Sequence, residues 1–255
     1  MSKVIKSINI IIIFCPNQDL KKPGFGTLQT CHQIAESLLF IGHSVSIQTC
    51  HTEYELMLVV KRKPDLVILA VKYLCTGGEE KILLADFFDS HRINYSGSTK
   101  KALSLDRSYL TTDDKERNIR DFTVAIIQQA HKELLVSAIE ILTLKSSNTT
   151  QDINTSEALI KIHDFYLESK IKKFAIEQFK KIGARDYARI DLQINQIGEL
   201  FLKTINLIPE MMPTSSHFPR ACSLALELNY DQLIKLIMDQ GIQRTKSSHK
   251  RSIYA

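Results

Sequence analysis

The run from Ile8 to Cys15, apolar except for Asn9 and rich in β-branched residues, is the feature that most constrains the fold. A strand of this composition needs cover on both faces, which a parallel sheet flanked by helices supplies. It is about eight residues long, far short of the roughly 20 that span a bilayer, and no small-residue cleavage site follows it. It therefore reads as a buried strand rather than a signal peptide or a membrane span.

Alternation continues behind it. Leu28 to Ile41 places Cys31, Ile34, Ala35, Leu38, Leu39 and Ile41 at helical spacing, and Gly42 sits where a left-handed C-terminal residue is wanted. Val45 to Gln48 then reads as a strand, Glu53 to Arg62 as a helix, Pro64-Asp65 as a break and Leu66 to Val71 as a third buried strand. Glu79 to Ser90 reads as a helix and Ile93 to Tyr95 as a fourth strand. Such βαβ alternation implies a parallel, doubly wound sheet, whose ligands gather at the carboxyl ends of its strands. This places a first domain at residues 1–100.

The remainder has a different rhythm. Phe122 to Ile127 and Ala138 to Leu144 read as strands, and Lys145 to Ser156 as a polar loop. A long amphipathic helix is expected from about Ser156 to Ile182. Arg185 to Ile194 and Glu199 to Ile205 form two strands around a Gly198 turn, and Tyr230 to Gln240 a closing helix. Residues 101–243 thus make an α+β domain. A basic tail follows at 244–255, carrying Arg244, Lys246, Lys250 and Arg251, and is expected to be a solvated end.

Composition excludes several functions. The net charge of +5 is spread along the chain except for the cluster in the basic tail, which calls for no nucleic-acid partner. Five scattered cysteines without CxxC spacing fit a reducing, cytoplasmic setting in which they act as small core residues. The eight histidines form no HExxH pattern. Gly24-Phe25-Gly26 follows a strand, but Gln29 takes the third glycine's place in a dinucleotide fingerprint.

Three segments, in order, carry a family likeness. Tyr95-Ser96-Gly97-Ser98, followed by Ala102-Leu103-Ser104-Leu105-Asp106, resembles a YTGS…A…DK segment, and Arg120 to Ile126 resembles a GrEfTVav strand. Ile182-Gly183-Ala184-Arg185-Asp186-Tyr187-Ala188-Arg189-Ile190-Asp191-Leu192, then Gly198 to Leu202, then Ile205 to Ser215, is similar to LGxxGxARxDf…GxxyllEiNTxPGMTxxS. These are motifs of the D-alanine–D-alanine ligases of the ATP-grasp superfamily, and the chain resembles a shortened, divergent member. The resemblance implies an α/β N-terminal pre-ATP-grasp domain with a Rossmann-like parallel sheet, followed by a reduced α+β ATP-grasp domain. It also implies ligation of two D-alanines for peptidoglycan precursor synthesis in the cytoplasm, with ATP and magnesium as cofactors. D-alanine or another small amino acid is the implied ligand, and a homodimer through the first domain the implied assembly.

By the same resemblance Arg189 stabilises an anionic acyl phosphate or tetrahedral intermediate, Ser215 receives the second substrate's carboxylate, and Asp191 and Asn206 hold metal. Asp121 stands at the ribose position, with Asp114 or Lys115 at the adenine segment. A spacing of two along a strand puts Arg189 and Asp191 on one face.

The departures fall on the chemistry. Thr204 stands where the family has a bridging glutamate, Glu210 replaces the PGMT glycine and Arg107 the DK lysine. Between that position and the GrEfTV-like strand only Ser108 to Lys115 remains, where relatives carry a phosphate loop. HGxxGEDG becomes Leu74-Cys75-Thr76-Gly77-Gly78-Glu79-Glu80-Lys81, and the loop Lys145 to Ser156, at the lid position, has no tyrosine. The expectation is a catalytically impaired paralogue serving as a non-catalytic binding or dimerising module. The alternative is an active ATP-dependent carboxylate–amine ligase with an altered site.

Overall fold

In the computed structural model, which describes residues 7–16, 24–76, 81–105, 119–145 and 155–253, the apolar run becomes β1 (Asn9–Phe14). It lies between β2 (Ser44–Thr49) and β3 (Leu66–Leu69) in a three-stranded parallel sheet of order β2-β1-β3. Ile10 to Ile13 are fully buried, as a doubly covered strand requires. The crossovers are α1 (Leu28–Phe40), capped by the Thr27 hydroxyl, which accepts from the Thr30 N–H, and α2 (Glu53–Lys61). A capping box opens α2: the Thr52 side chain accepts from the Glu55 N–H, and the Glu55 carboxylate accepts from the Thr52 N–H.

Two expectations fail after β3. Ile93 to Tyr95 forms no strand, only an isolated parallel bridge from Tyr95 to Val67. The helix expected from Glu79 begins later, because β4 (Tyr73–Cys75) and β5 (Lys81–Leu83) pair as a small antiparallel hairpin, and α3 (Leu84–Ser90) starts behind it. The short α4 (Lys100–Ser104) follows.

The second sheet is antiparallel, with order β10-β9-β6-β7-β8: β6 (Arg120–Gln128), β7 (Leu134–Lys145), β8 (Thr155–Lys161), β9 (Tyr187–Ile194) and β10 (Leu200–Asn206). Here the long helix expected from Ser156 is corrected. Its first residues pair with β7 as β8, and α5 (Phe165–Lys181) begins only after Asp164, whose carboxylate accepts from the Tyr166 and Leu167 N–H groups. Helical periodicity spilled into a strand whose partner is distant in sequence, and the cap marks the true start.

The helix α6 (His217–Leu226), absent from the sequence reading, covers part of one face of this sheet, where the Ser137 hydroxyl donates to the Ala221 carbonyl. The last helix, α7 (Tyr230–Ile253), runs past the expected end at Gln240, so residues 244–253 are helical rather than a separate tail. It packs on both sheets' layers. At Gly241 an added Cβ would lie 3.0 Å from Leu66 Cδ1, and the Thr245 hydroxyl donates to the Asp65 carbonyl at 2.8 Å.

Candidate functional site

Strand β9 alternates buried Ala188, Ile190 and Leu192 with half-buried Arg189, Asp191 and Gln193, so the three polar side chains share one face. The Arg189 Nη2 lies 3.1 Å from Asp191 Oδ2. Register brings Thr123 of β6 opposite Asp191 from one side and Thr204 of β10 opposite it from the other. A bulge between Leu202 and Thr204 sets the second pairing, since Lys203 is the extra residue that leaves Thr204, not Lys203, facing the carboxylate.

Asp191 consequently accepts three hydrogen bonds from within the sheet. The Thr123 hydroxyl donates to its Oδ1 at 2.7 Å, and the Thr204 hydroxyl donates to its Oδ2 at 2.7 Å. With Arg189 on the same Oδ2, three donors hold the two oxygens in one orientation. Arg189 keeps a buried Nε–H without a hydrogen-bond partner. Asn206, 5% exposed, uses its side-chain oxygen to accept from the Ile208 N–H at 3.0 Å, an Asx turn that shapes the chain before Pro209.

Further along the same face, Asp121 accepts from Gln193 Nε2 at 3.0 Å and from Lys203 Nζ at 2.9 Å. Ser215 is exposed; its neighbour Ser216 makes the turn into α6, accepting the Met212 N–H on its hydroxyl. Glu210 also faces solvent. The fold thus brings Arg189, Asp191 and Asn206 onto adjoining strands, with Asp121 on the same sheet and Ser215 outside on a surface turn. Asp114, Lys115, Arg107, Gly77 to Glu80 and most of the lid-like loop lie outside the described residues.

Sequence reasoning missed Thr123 and the group that anchors β9. Asp186, fully buried at the start of that strand, accepts from Arg244 Nη1 at 2.6 Å, Arg244 Nη2 at 2.7 Å and the Gly97 N–H at 2.7 Å. Arg244 Nη2 also donates to the Tyr95 carbonyl, and Arg185 Nε to the Gly97 carbonyl at 2.6 Å. Burial and the nearby Arg244 lower the pKa of Arg185 from its ordinary value. Gly97 needs its positive φ of 87° here, and its Cα packs against Tyr187, where a Cβ would stand 3.1 Å from the phenol oxygen. A lone acid before a strand and a lone arginine on a late helix gave no sequence signal of this pairing.

Comparisons with known proteins agree with this fold. The family model described as "D-ala D-ala ligase C-terminus" matches residues 91–239, more than half of the chain. A D-alanine–D-alanine ligase of Pelotomaculum thermopropionicum is 36% identical over 81 residues, 30% of this chain and 25% of that protein. The match therefore spans a quarter of the curated relative's length. Among solved structures, the Bacillus anthracis D-alanine–D-alanine ligase complexed with ATP superposes with a TM-score of 0.70 at 14% identity, covering 96% of this chain and all of that one. The Enterococcus faecalis VanG D-Ala:D-Ser ligase gives 0.59 at 14% identity, over 92% of this chain. At such identity the likeness speaks for the fold.

Proposed function

The chain belongs to the D-alanine–D-alanine ligase family, and on that premise we propose that it is a relative that keeps the ligase architecture without running the ligation. On this reading the first parallel sheet is the family's pre-ATP-grasp domain and the antiparallel sheet a reduced ATP-grasp domain. The carrying observation is that Thr123, Thr204 and Arg189 together hold both oxygens of Asp191.

Magnesium does not fit these residues. A small hard dication wants near-octahedral oxygens, carboxylates among them. Thr204 offers only a neutral hydroxyl, Asn206 turns its oxygen to the backbone, and Arg189 offsets the charge of Asp191. Among the described residues no group of three or more His, Cys, Asp or Glu side chains suits a metal ion.

What remains is a cationic Arg189 beside a neutralised acid, suited to holding a small carboxylate such as that of D-alanine rather than a triphosphate. Asp121, proposed for the ribose, is held by Lys203 and Gln193. Assembly as a homodimer is part of the proposal, since α1 presents Leu39 and Phe40 at 51% and 84% exposure. Cytoplasmic residence follows the family; among the described residues no helix is long and apolar enough to cross a membrane.

A second reading, an active ligase with an altered site, draws on Arg189 and Asp191 sharing one face. One experiment separates the two: the purified chain with ATP, magnesium and D-alanine, assayed for phosphate release and D-alanyl-D-alanine. The proposal expects no D-alanine-dependent phosphate above an Arg189→Ala/Asp191→Ala variant, and no thermal shift on adding magnesium. A D-alanine-dependent rate lost in that variant would establish the active ligase instead. Light scattering at micromolar concentration showing only monomer would remove the dimer.

A further inference from the structure

Where α1 meets the start of α7 the surface holds an open cavity of about 400 Å³, and none of its lining residues belongs to the Arg189 face. Gln33, Glu36, Ser37 and Phe40 line it from α1, and their i, i+3, i+4, i+7 spacing puts them in one stripe of that helix. Tyr230 and Asp231 line it from the first turn of α7. The Ser37 hydroxyl donates to Asp231 Oδ1 at 2.6 Å, which orients the carboxylate and leaves Oδ2 for another donor. The Tyr230 hydroxyl donates to the Met211 carbonyl at 2.9 Å, which fixes the ring.

The chemistry of the cavity is one-sided. Glu36 and Asp231 are both exposed, and among the described residues Glu36 has no hydrogen bond and neither carboxylate has an ion pair. The Gln33 side-chain oxygen is buried without a hydrogen-bond partner. Phe40 stands beside them at 84% exposure. No lysine or arginine lines the cavity, and α1 carries none, so a second copy docked through α1 brings no such charge from that helix.

A cation is what these groups lack, and the walls select its kind. A metal ion would want more oxygens from the chain, and among the described residues no group of three or more His, Cys, Asp or Glu side chains gathers. An ammonium is compact and strongly hydrated, so it gains less from aromatic walls. A guanidinium is planar and weakly hydrated, presents a fork of N–H donors and stacks on aromatic faces.

We propose that this cavity binds a guanidinium group, carried by a small guanidine or by an arginine side chain. Glu36 and Asp231 are its anionic partners, the Gln33 oxygen accepts a further N–H, and Phe40 and Tyr230 supply the aromatic walls. A cavity of about 400 Å³ falls at the small end of ligand pockets, which span about 300 to 1,000 Å³. The site is independent of the Arg189 face, so it stands whether or not the chain ligates.

The test titrates the full, unsubstituted chain with n-butylguanidinium and with Nα-acetyl-arginine amide, following the backbone amide shifts of Gln33, Ser37 and Asp231. Saturable shifts are expected. Saturation by n-butylguanidinium shows that a small guanidine suffices, and saturation by the arginine amide alone assigns the site to a peptide arginine. The controls, n-butylammonium and uncharged Nα-acetyl-citrulline amide, should bind several-fold more weakly. Glu36→Gln and Asp231→Asn should each weaken binding by about tenfold, and Phe40→Ala by about threefold. No saturation by either guanidine, a control binding as tightly as its guanidine counterpart, or an affinity unchanged in Glu36→Gln would each overturn the proposal. Glu36 is exposed and without a hydrogen bond among the described residues, so its substitution leaves the fold in place.

Discussion

Replacing Arg244 with methionine tests whether one buried ion pair holds β9 against the first domain. The guanidinium makes two contacts of 2.6 and 2.7 Å to a carboxylate that is completely buried, while the arginine side chain itself is 31% exposed. Methionine keeps the stem and leaves Asp186 with the Gly97 N–H as its remaining donor among those bonds. Removing one partner of a buried pair costs about 3 to 5 kcal/mol, and the part-exposed arginine puts this case near 3. For a chain of this size that lowers the melting temperature by roughly 6 to 12 °C.

The cycle is closed with Asp186→Asn, chosen because Asp186 sits at φ 67° and asparagine tolerates the left-handed region as well as aspartate does. The double variant should be more stable than Arg244→Met alone, because no unpaired charge is then buried. A coupling energy above about 1.5 kcal/mol is expected from thermal or urea unfolding. Hydrogen exchange should show the loss concentrated at the amides of β9 and at Gly97. Additive single effects, or an Arg244→Met variant melting within about 2 °C of the parent, would refute the reasoning.

Gly97→Ala should cost about 2 kcal/mol in urea unfolding, since it places a Cβ at positive φ and 3.1 Å from the Tyr187 oxygen; no change would show that the turn relaxes freely. Stability should fall as pH rises above about 9: buried Cys31, Cys50 and Cys222 have raised folded values, so their contribution is complete below the unfolded thiol value of 9.0 and is lost above it. The slope approaches about 1.4 kcal/mol per thiol per pH unit, and a melting temperature flat between about pH 8 and 10.5 would contradict it. Thr204→Glu should set a second carboxylate beside Asp191, lowering the melting temperature in chelator and restoring it with magnesium, yet without ligation. A magnesium response of equal size in the parent chain would show that the native residues already hold the ion.

Local pattern was enough for much of the scaffold. The burial demanded by Ile10 to Ile13 and the βαβ rhythm as far as β3 act within a few residues, and the structure realises them where the residues indicate. The two-residue spacing of Arg189 and Asp191 likewise settles their common face, because alternation is a property of any strand. Where a segment is amphipathic in either period, local pattern fails: Thr155 to Lys161 is a strand because β7 offers it a partner, and nothing near it in the chain says so.

The state of the site belongs to the tertiary structure. Whether Asp191 is open to a ligand or already satisfied depends on Thr123, 68 positions earlier, and on a bulge in β10 that selects Thr204 to face it. Asp186 and Arg244 meet across 58 positions because α7 returns over both sheets. Cys50 reaches the Phe14 carbonyl only through the parallel register of β1 and β2. Short-range sterics and caps act between residues already adjacent, so they can be read along the chain. Register, charge pairing and the hydrogen bonding of the Asp191 carboxylate depend on distances that exist only once the sheets have formed.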